Sequence, residues 1–187
     1  VLRGGTYHET LKIFKQVTIQ AWPGEAVWFD GSRVVSDWVK DGAVWRHDGW
    51  TVEFDTSPTF TRGAPDRTEQ YWGFVNANAP MAAHPDQIWL NGVAMRQVGS
   101  LAEMTGGTFF HDRAADRLYL GSDPSGSEGR VAALGRAIAV RADGVTLRGF
   151  GVRRYSPSVP DMGTITLEQN NALIEHLAVT DNSTTGV

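Results

Sequence analysis

Short runs of alternating apolar and polar residues dominate the last third of the chain. Ile138, Val140, Val145, Leu147, Phe150 and Val152 are apolar, and the positions beside them are mostly polar or small. The pattern returns without a gap at Ile165, Leu167, Ile174, Leu177 and Val179, so residue 165 stands where residue 138 does, an offset of 27. Alternation with a period of two is the signature of a strand. A repeat of short strands at a spacing of about 20–50 residues marks a solenoid or related stack. Three short strands per unit of this length predict a coil that closes a triangle once per repeat. The expected fold is all-β: a right-handed parallel β-helix with about 27 residues per rung.

Residues 1–31 carry a weaker form of the same pattern. Gln16-Val17-Thr18-Ile19-Gln20 resembles Gly144-Val145-Thr146-Leu147-Arg148, and Trp22-Pro23-Gly24-Glu25 places Pro and Gly where tight turns favour them. Residues 32–130 break the period. They hold strand-like runs such as Trp50-Thr51-Val52-Glu53-Phe54, Tyr71-Trp72-Gly73-Phe74-Val75 and Gln87-Ile88-Trp89-Leu90. Asn91-Gly92 separates two such runs, a strong hairpin signal. Asp112 to Asp116 separates Phe109-Phe110 from Leu118-Tyr119-Leu120 in the same way. The predicted organisation is thus a first rung over 1–31, an inserted antiparallel β-hairpin module over 32–130, and continuing rungs over 131–187. No capping segment is evident at the C-terminal end, where solenoids need one. The expectation is a piece of a longer protein, with an open β-helix end available for self-association.

The offset also sorts the charges. It sets Arg141 beside Glu168, Arg148 beside Glu175 and Arg154 beside Asp181. Opposite charges at adjacent ladder positions stabilise a sheet by about 0.2–1 kcal/mol each. Charge compensation along an outer wall therefore accounts for three carboxylates that would otherwise invite a catalytic reading. Asp161 has no such partner, because the residue 27 positions earlier is Leu134. It lies in the long turn 156–163, close in sequence to Tyr155, and long turns on one face of a solenoid commonly build its binding groove. Five tryptophans fall in 32–130, with Trp72 in the least strand-like segment. An indole can stack on a sugar ring, although a small module also needs large aromatics for its own core. Trp72, Tyr155 and Asp161 are the substrate-binding candidates.

Composition narrows the alternatives. The 187 residues are 41% hydrophobic and 20% charged, which fits an ordinary folded domain. A net charge of −4 gives no basic footprint for nucleic acid, and no apolar run reaches the roughly 18 residues of a membrane span. With no cysteine and five scattered histidines, no metal-ligand spacing, P-loop, dinucleotide fingerprint or nucleophile elbow is present. No cofactor or metal is expected.

Several segments together resemble a known group of proteins. Arg3-Gly4-Gly5-Thr6-Tyr7-His8-Glu9, then Val17-Thr18-Ile19-Gln20-Ala21-Trp22-Pro23-Gly24-Glu25, then Asp30-Gly31-Ser32 look like the start of right-handed parallel β-helix repeat proteins of the pectate-lyase-like superfamily. They are similar in particular to bacterial members related to the xylosidase-type and fucosidase-type β-helix glycoside hydrolases. Asp86-Gln87-Ile88-Trp89-Leu90-Asn91-Gly92 resembles the motif of their inserted module. The resemblance implies the N-terminal part of a secreted or cell-surface bacterial protein with a polysaccharide or glycan partner. In those hydrolases the catalytic carboxylates lie on later rungs, so no catalytic residue is carried over. Hydrolysis would need two carboxylates about 5–10 Å apart, and a lyase would need a base with a group that neutralises a uronate. A glycoside hydrolase, a polysaccharide lyase and a non-catalytic glycan- or protein-binding β-helix all remain open, and the chain alone is expected to be inactive.

Overall fold

The computed structural model describes residues 1–65, 75–76 and 78–187. The fold is all-β; the described helical segments are four short 3-10 turns. Trp72 and all but the last residue of the strand expected at 71–75 lie outside the described residues.

Four strands open the chain: β1 (Gly5–Tyr7), β2 (Leu11–Ile13), β3 (Thr18–Gln20) and β4 (Val27–Asp30). Nine follow in the middle: β5 (Ser32–Val34), β6 (Val39–Asp41), β7 (Val44–Asp48), β8 (Ile88–Leu90), β9 (Val93–Ala94), β10 (Arg96–Gln97), β11 (Thr108–Asp112), β12 (Arg117–Leu120) and β13 (Gly129–Ala132). Six close it: β14 (Ile138–Val140), β15 (Thr146–Arg148), β16 (Gly151–Arg153), β17 (Ile165–Leu167), β18 (Leu173–Glu175) and β19 (Ala178–Thr180).

The opening and closing strands interleave in three parallel sheets, ordered β1-β4-β16-β19, β17-β14-β2 and β18-β15-β3. Ile138 pairs with Ile165, Leu147 with Ile174 and Val152 with Val179. On the other side, Ile138 meets Leu11, Leu147 meets Ile19 and Val152 meets Phe29. The likeness between 16–20 and 144–148 is therefore a stacking relation between strands far apart in sequence. Chain corners repeat as well. Gly144 and Asn171, Gly149 and His176, and Arg154 and Asp181 all take left-handed backbone, with φ between 52° and 75°. Such corners favour Gly and Asn, because a Cβ crowds the backbone there.

Side chains pointing between the three sheets form one core. Phe29, Ile138, Val140, Val145, Leu147, Val152 and Tyr155 are buried in it. The apolar positions of the alternating pattern are inward-facing in 138–152. In the last coil Leu167 and Leu173 are partly uncovered, at 43% and 49% exposure.

The middle strands build two further sheets, β10-β11-β12-β7-β6 and β5-β13-β8-β9. Apart from the parallel β10–β11 pair, every pairing in them is antiparallel. Asn91 and Gly92 make the turn between β8 and β9 with φ of 48° and 78°. This geometry at both central residues matches the twist of the hairpin. A second core lies here, containing Trp50, Ile88, Phe109, Leu118 and Leu120, with Trp38 and Trp45 packed against it. Trp89 is also buried. These tryptophans serve the interior.

The chain leaves the three parallel sheets and re-enters them close to one point. The Gly31 carbonyl accepts hydrogen bonds from the amides of Ala133 (2.8 Å) and Leu134 (3.0 Å).

Candidate functional site

Of the sequence-derived candidates, Tyr155 and Asp161 are among the described residues, and they stand in different surroundings. Tyr155 is fully buried, its ring is part of the coil core, and its hydroxyl donates to the Glu9 carbonyl at 2.7 Å. Burial pushes the phenol up, with Asp30 and Glu9 adding to the effect. A ring in this position supports the wall from behind and offers no face to a sugar.

Asp161 does reach a cleft. It ends the 3-10 turn Val159–Asp161, and Ser158 caps that turn by donating its amide (3.1 Å) and hydroxyl (2.7 Å) to Oδ2. The other oxygen accepts from Arg62 at 2.6 Å and lies 3.6 Å from Arg136. The cleft, of about 440 Å³, is lined by Asp161, Arg136 and Glu168 with Met162, Thr166 and Leu167 among the remaining residues. Its volume falls within the range of small-molecule sites, about 300–1,000 Å³.

Glu168 faces Asp161 across Arg136. Its carboxylate lies 3.6 Å from that guanidinium, accepts from Arg141 at 2.9 Å, and accepts from the Thr166 hydroxyl at 3.2 Å. Two carboxylates thus share one arginine at the mouth of a largely apolar hollow. Arginines engage both of them. The arrangement offers alternating fixed donors and acceptors, which suits the hydroxyls of a polyol and orients without reacting.

The charge pairs expected on the outer wall divide. Arg141–Glu168 (2.9 Å) and Arg148–Glu175 (3.2 Å) are formed. The pair Arg154–Asp181 is not. Arg154 turns inward to Asp30, 3.3 Å away, and its side chain is only 12% exposed. Asp181 takes the same left-handed corner as Arg154, so the difference lies in the partner: the buried Asp30 carboxylate draws the guanidinium inward.

Sequence reasoning missed Asp30 itself. This fully buried carboxylate accepts from the Ser32 amide (2.9 Å) and hydroxyl (2.5 Å), from Arg153 (2.8 Å) and from Arg154 (3.3 Å). Burial opposes its ionisation, but the Ser32 and Arg153 contacts outweigh burial and hold the carboxyl below the usual range. Asp86 is a second case: burial is overcome by His111 at 3.0 Å and Arg113 at 3.0 Å, and its carboxyl is likewise held low. The only local sign of Asp30 is the Asp-Gly-Ser triplet, one of the segments that carry the family resemblance. Nothing in the sequence ties Arg130 or Arg153 to it.

No protein-family model matches the sequence, and neither does any curated protein. The architecture is that of an all-β protein with stacked parallel sheets. It is shared with a solved structure described as the complex of XylC with xylose, at a TM-score of 0.66 over 96% of this chain with 15% of residues identical. The chain spans 34% of that protein's length. A structure described as a glycoside hydrolase superposes at a TM-score of 0.44 with 13% identity, over 82% of this chain and 42% of its own.

Proposed function

We propose that this chain is the N-terminal part of an exported, carbohydrate-active bacterial protein. In this reading the three parallel sheets are a right-handed parallel β-helix of about 27 residues per coil. Residues 32–130 are an antiparallel β-module inserted between its first coils. The full-length protein hydrolyses a polysaccharide or glycoside with carboxylates carried on later coils. The supporting observation is the fold shared with a protein solved with xylose bound. The cleft at Asp161, Arg136 and Glu168 supplies a place for sugar hydroxyls on this part of the chain.

Calorimetric titration with xylose and xylo-oligosaccharides tests the binding half. Asp161→Asn removes a charged acceptor, so affinity should fall about tenfold, the equivalent of one hydrogen bond to a charged group. Unchanged affinity would remove Asp161 from the site. The catalytic half is tested by reducing-sugar release: none from these 187 residues, and turnover from a chain extended beyond Val187. An extended chain that binds sugar but releases none would favour a non-catalytic glycan-binding β-helix, a reading that the compensated Arg141–Glu168 and Arg148–Glu175 wall also supports. Export is tested by finding the native protein in the culture medium or on the cell surface.

A further inference from the structure

The cleft at Asp161 is balanced in charge but not in hydrogen bonds. Arg136 lines it. A guanidinium carries several N–H donors and no acceptor. Among the described residues only Nη2 of Arg136 donates, to the Asp161 carbonyl at 2.5 Å. Nη1 lies 3.6 Å from the Glu168 carboxylate, and Nη2 lies 3.6 Å from Asp161 Oδ1. Both distances are too long for a hydrogen bond. Nε is buried without an acceptor. The protein thus leaves most of this guanidinium unfilled, although its side chain is only 23% exposed.

Other donors hold the two carboxylates back from Arg136. Asp161 accepts from Arg62 at 2.6 Å through Oδ1 and from the Ser158 hydroxyl at 2.7 Å through Oδ2. Glu168 accepts from Arg141 at 2.9 Å and from the Thr166 hydroxyl at 3.2 Å. At 3.6 Å they still offset the charge of Arg136, because Coulomb attraction falls slowly with distance while a hydrogen bond weakens steeply. An anionic ligand reaching Arg136 would meet both carboxylates beside it. A neutral acceptor meets no such repulsion and takes the donors that the protein leaves unused.

The rest of the lining determines what the acceptor must be attached to. Met162, Ile165, Leu167 and Val187 are apolar, and all but Ile165 are well exposed. A hydroxyl set against these side chains would leave its own proton unpaired, at a cost in free energy. An acetyl group meets both demands. Its carbonyl oxygen accepts from a guanidinium and brings no proton that needs a partner, and its methyl gains from leaving water. Met162 suits such a contact, because its unbranched thioether adapts to the shape of a small apolar group.

We infer that the cleft binds an acetyl substituent, its carbonyl oxygen accepting from Arg136 and its methyl lying against Leu167 and Met162. That a sugar carries the acetyl group rests on the carbohydrate reading above; the acyl site itself rests on Arg136 and the apolar lining. The test is titration of the whole chain, followed by NMR or calorimetry, with two matched pairs: N-acetylglucosamine against glucose, and acetylated xylobiose against xylobiose. Glucuronate is the anionic control. At least one acetylated sugar is expected to bind about tenfold tighter than its parent. The pair with the larger ratio tells whether an amide or an ester carries the acetyl group. Arg136→Met should abolish that ratio, with folding checked by circular dichroism because Arg136 also holds the Asp161 carbonyl. Leu167→Gln is the second variant. Leu167 is 43% exposed, so the fold should tolerate the change, and the ratio should fall about threefold or more while the parent sugar binds as before. Ratios near one in both pairs, glucuronate binding as tightly as the acetylated sugars, or a ratio unchanged in both variants would overturn the inference. Parent sugars that bind without any gain from acetylation sink the acyl site alone. No binding of any sugar sinks the carbohydrate reading too.

Discussion

Asp30 shows how a single side chain organises this molecule. It is fully buried, yet it ties the β4 end to Arg153 and Arg154 from the next coil. Removing one member of a buried charge group leaves the others uncompensated, which typically costs about 3–5 kcal/mol. Asp30→Asn should lower the unfolding free energy by that order in a denaturant titration. The pH dependence has a definite sign. The folded carboxyls of Asp30 and Asp86 sit below the ordinary value, so their contribution is complete above about pH 4. It is lost as pH falls from there through the lower folded values, and the decline should be shallower in Asp30→Asn. An unfolding free energy that does not fall below pH 4 would contradict this. Asp30 was not legible in the sequence as a hub, since Arg153 and Arg154 are brought to it by stacking and lie more than 120 residues away.

At the scale of the element, the three parallel sheets follow from short alternating runs joined by left-handed corners. The pairing of Ile138 with Ile165 and of Leu147 with Ile174 was readable because inward and outward positions are local properties of extended backbone. Arg154 marks where that reading ends. Its corner and that of Asp181 share left-handed backbone, yet its guanidinium goes inward to the buried Asp30, away from Asp181. The candidate site was half legible: the long turn pointed to Asp161, but the alternation gave no warning that Tyr155 is sealed in the core. The outer-wall pairs are a modest contribution. Arg148 and Glu175 are 46% and 34% exposed. A double-mutant cycle between them should give a coupling of about 0.2–1 kcal/mol, shrinking as salt is added. Sugar binding should be unaffected by Glu175→Gln.

At the scale of the whole molecule, two cores flank a neck, and Arg62–Asp161 and Arg154–Trp89 bridge them beyond it. The coil core and the middle core are built from separate sets of side chains. The Gly31 carbonyl and the Ala133 amide are 2.8 Å apart where the chain departs and comes back. A chain joining Gly31 directly to Ala133 is therefore expected to retain the three parallel sheets, at reduced stability because Arg154 loses Trp89. Circular dichroism and amide exchange in Ile138–Val140 and Leu173–Glu175 would show this; loss of protection there would mean that the coils depend on the middle sheets. The neck also bears on how the protein folds in time. β2 can meet β14 only across 127 residues, from Leu11 to Ile138, whereas the hairpins between them close over short spans. Closing a long loop costs entropy before any contact offsets it. The middle sheets, once formed, shorten that loop to about 25 residues, 20 from Leu11 to Gly31 and 5 from Ala133 to Ile138, by holding residues 31 and 133 together. Pulse-labelled amides should then become protected first in β11 and β12 and later in β2. In kinetic terms the neck is a clamp that makes a distant pairing local, and the first coil waits for it.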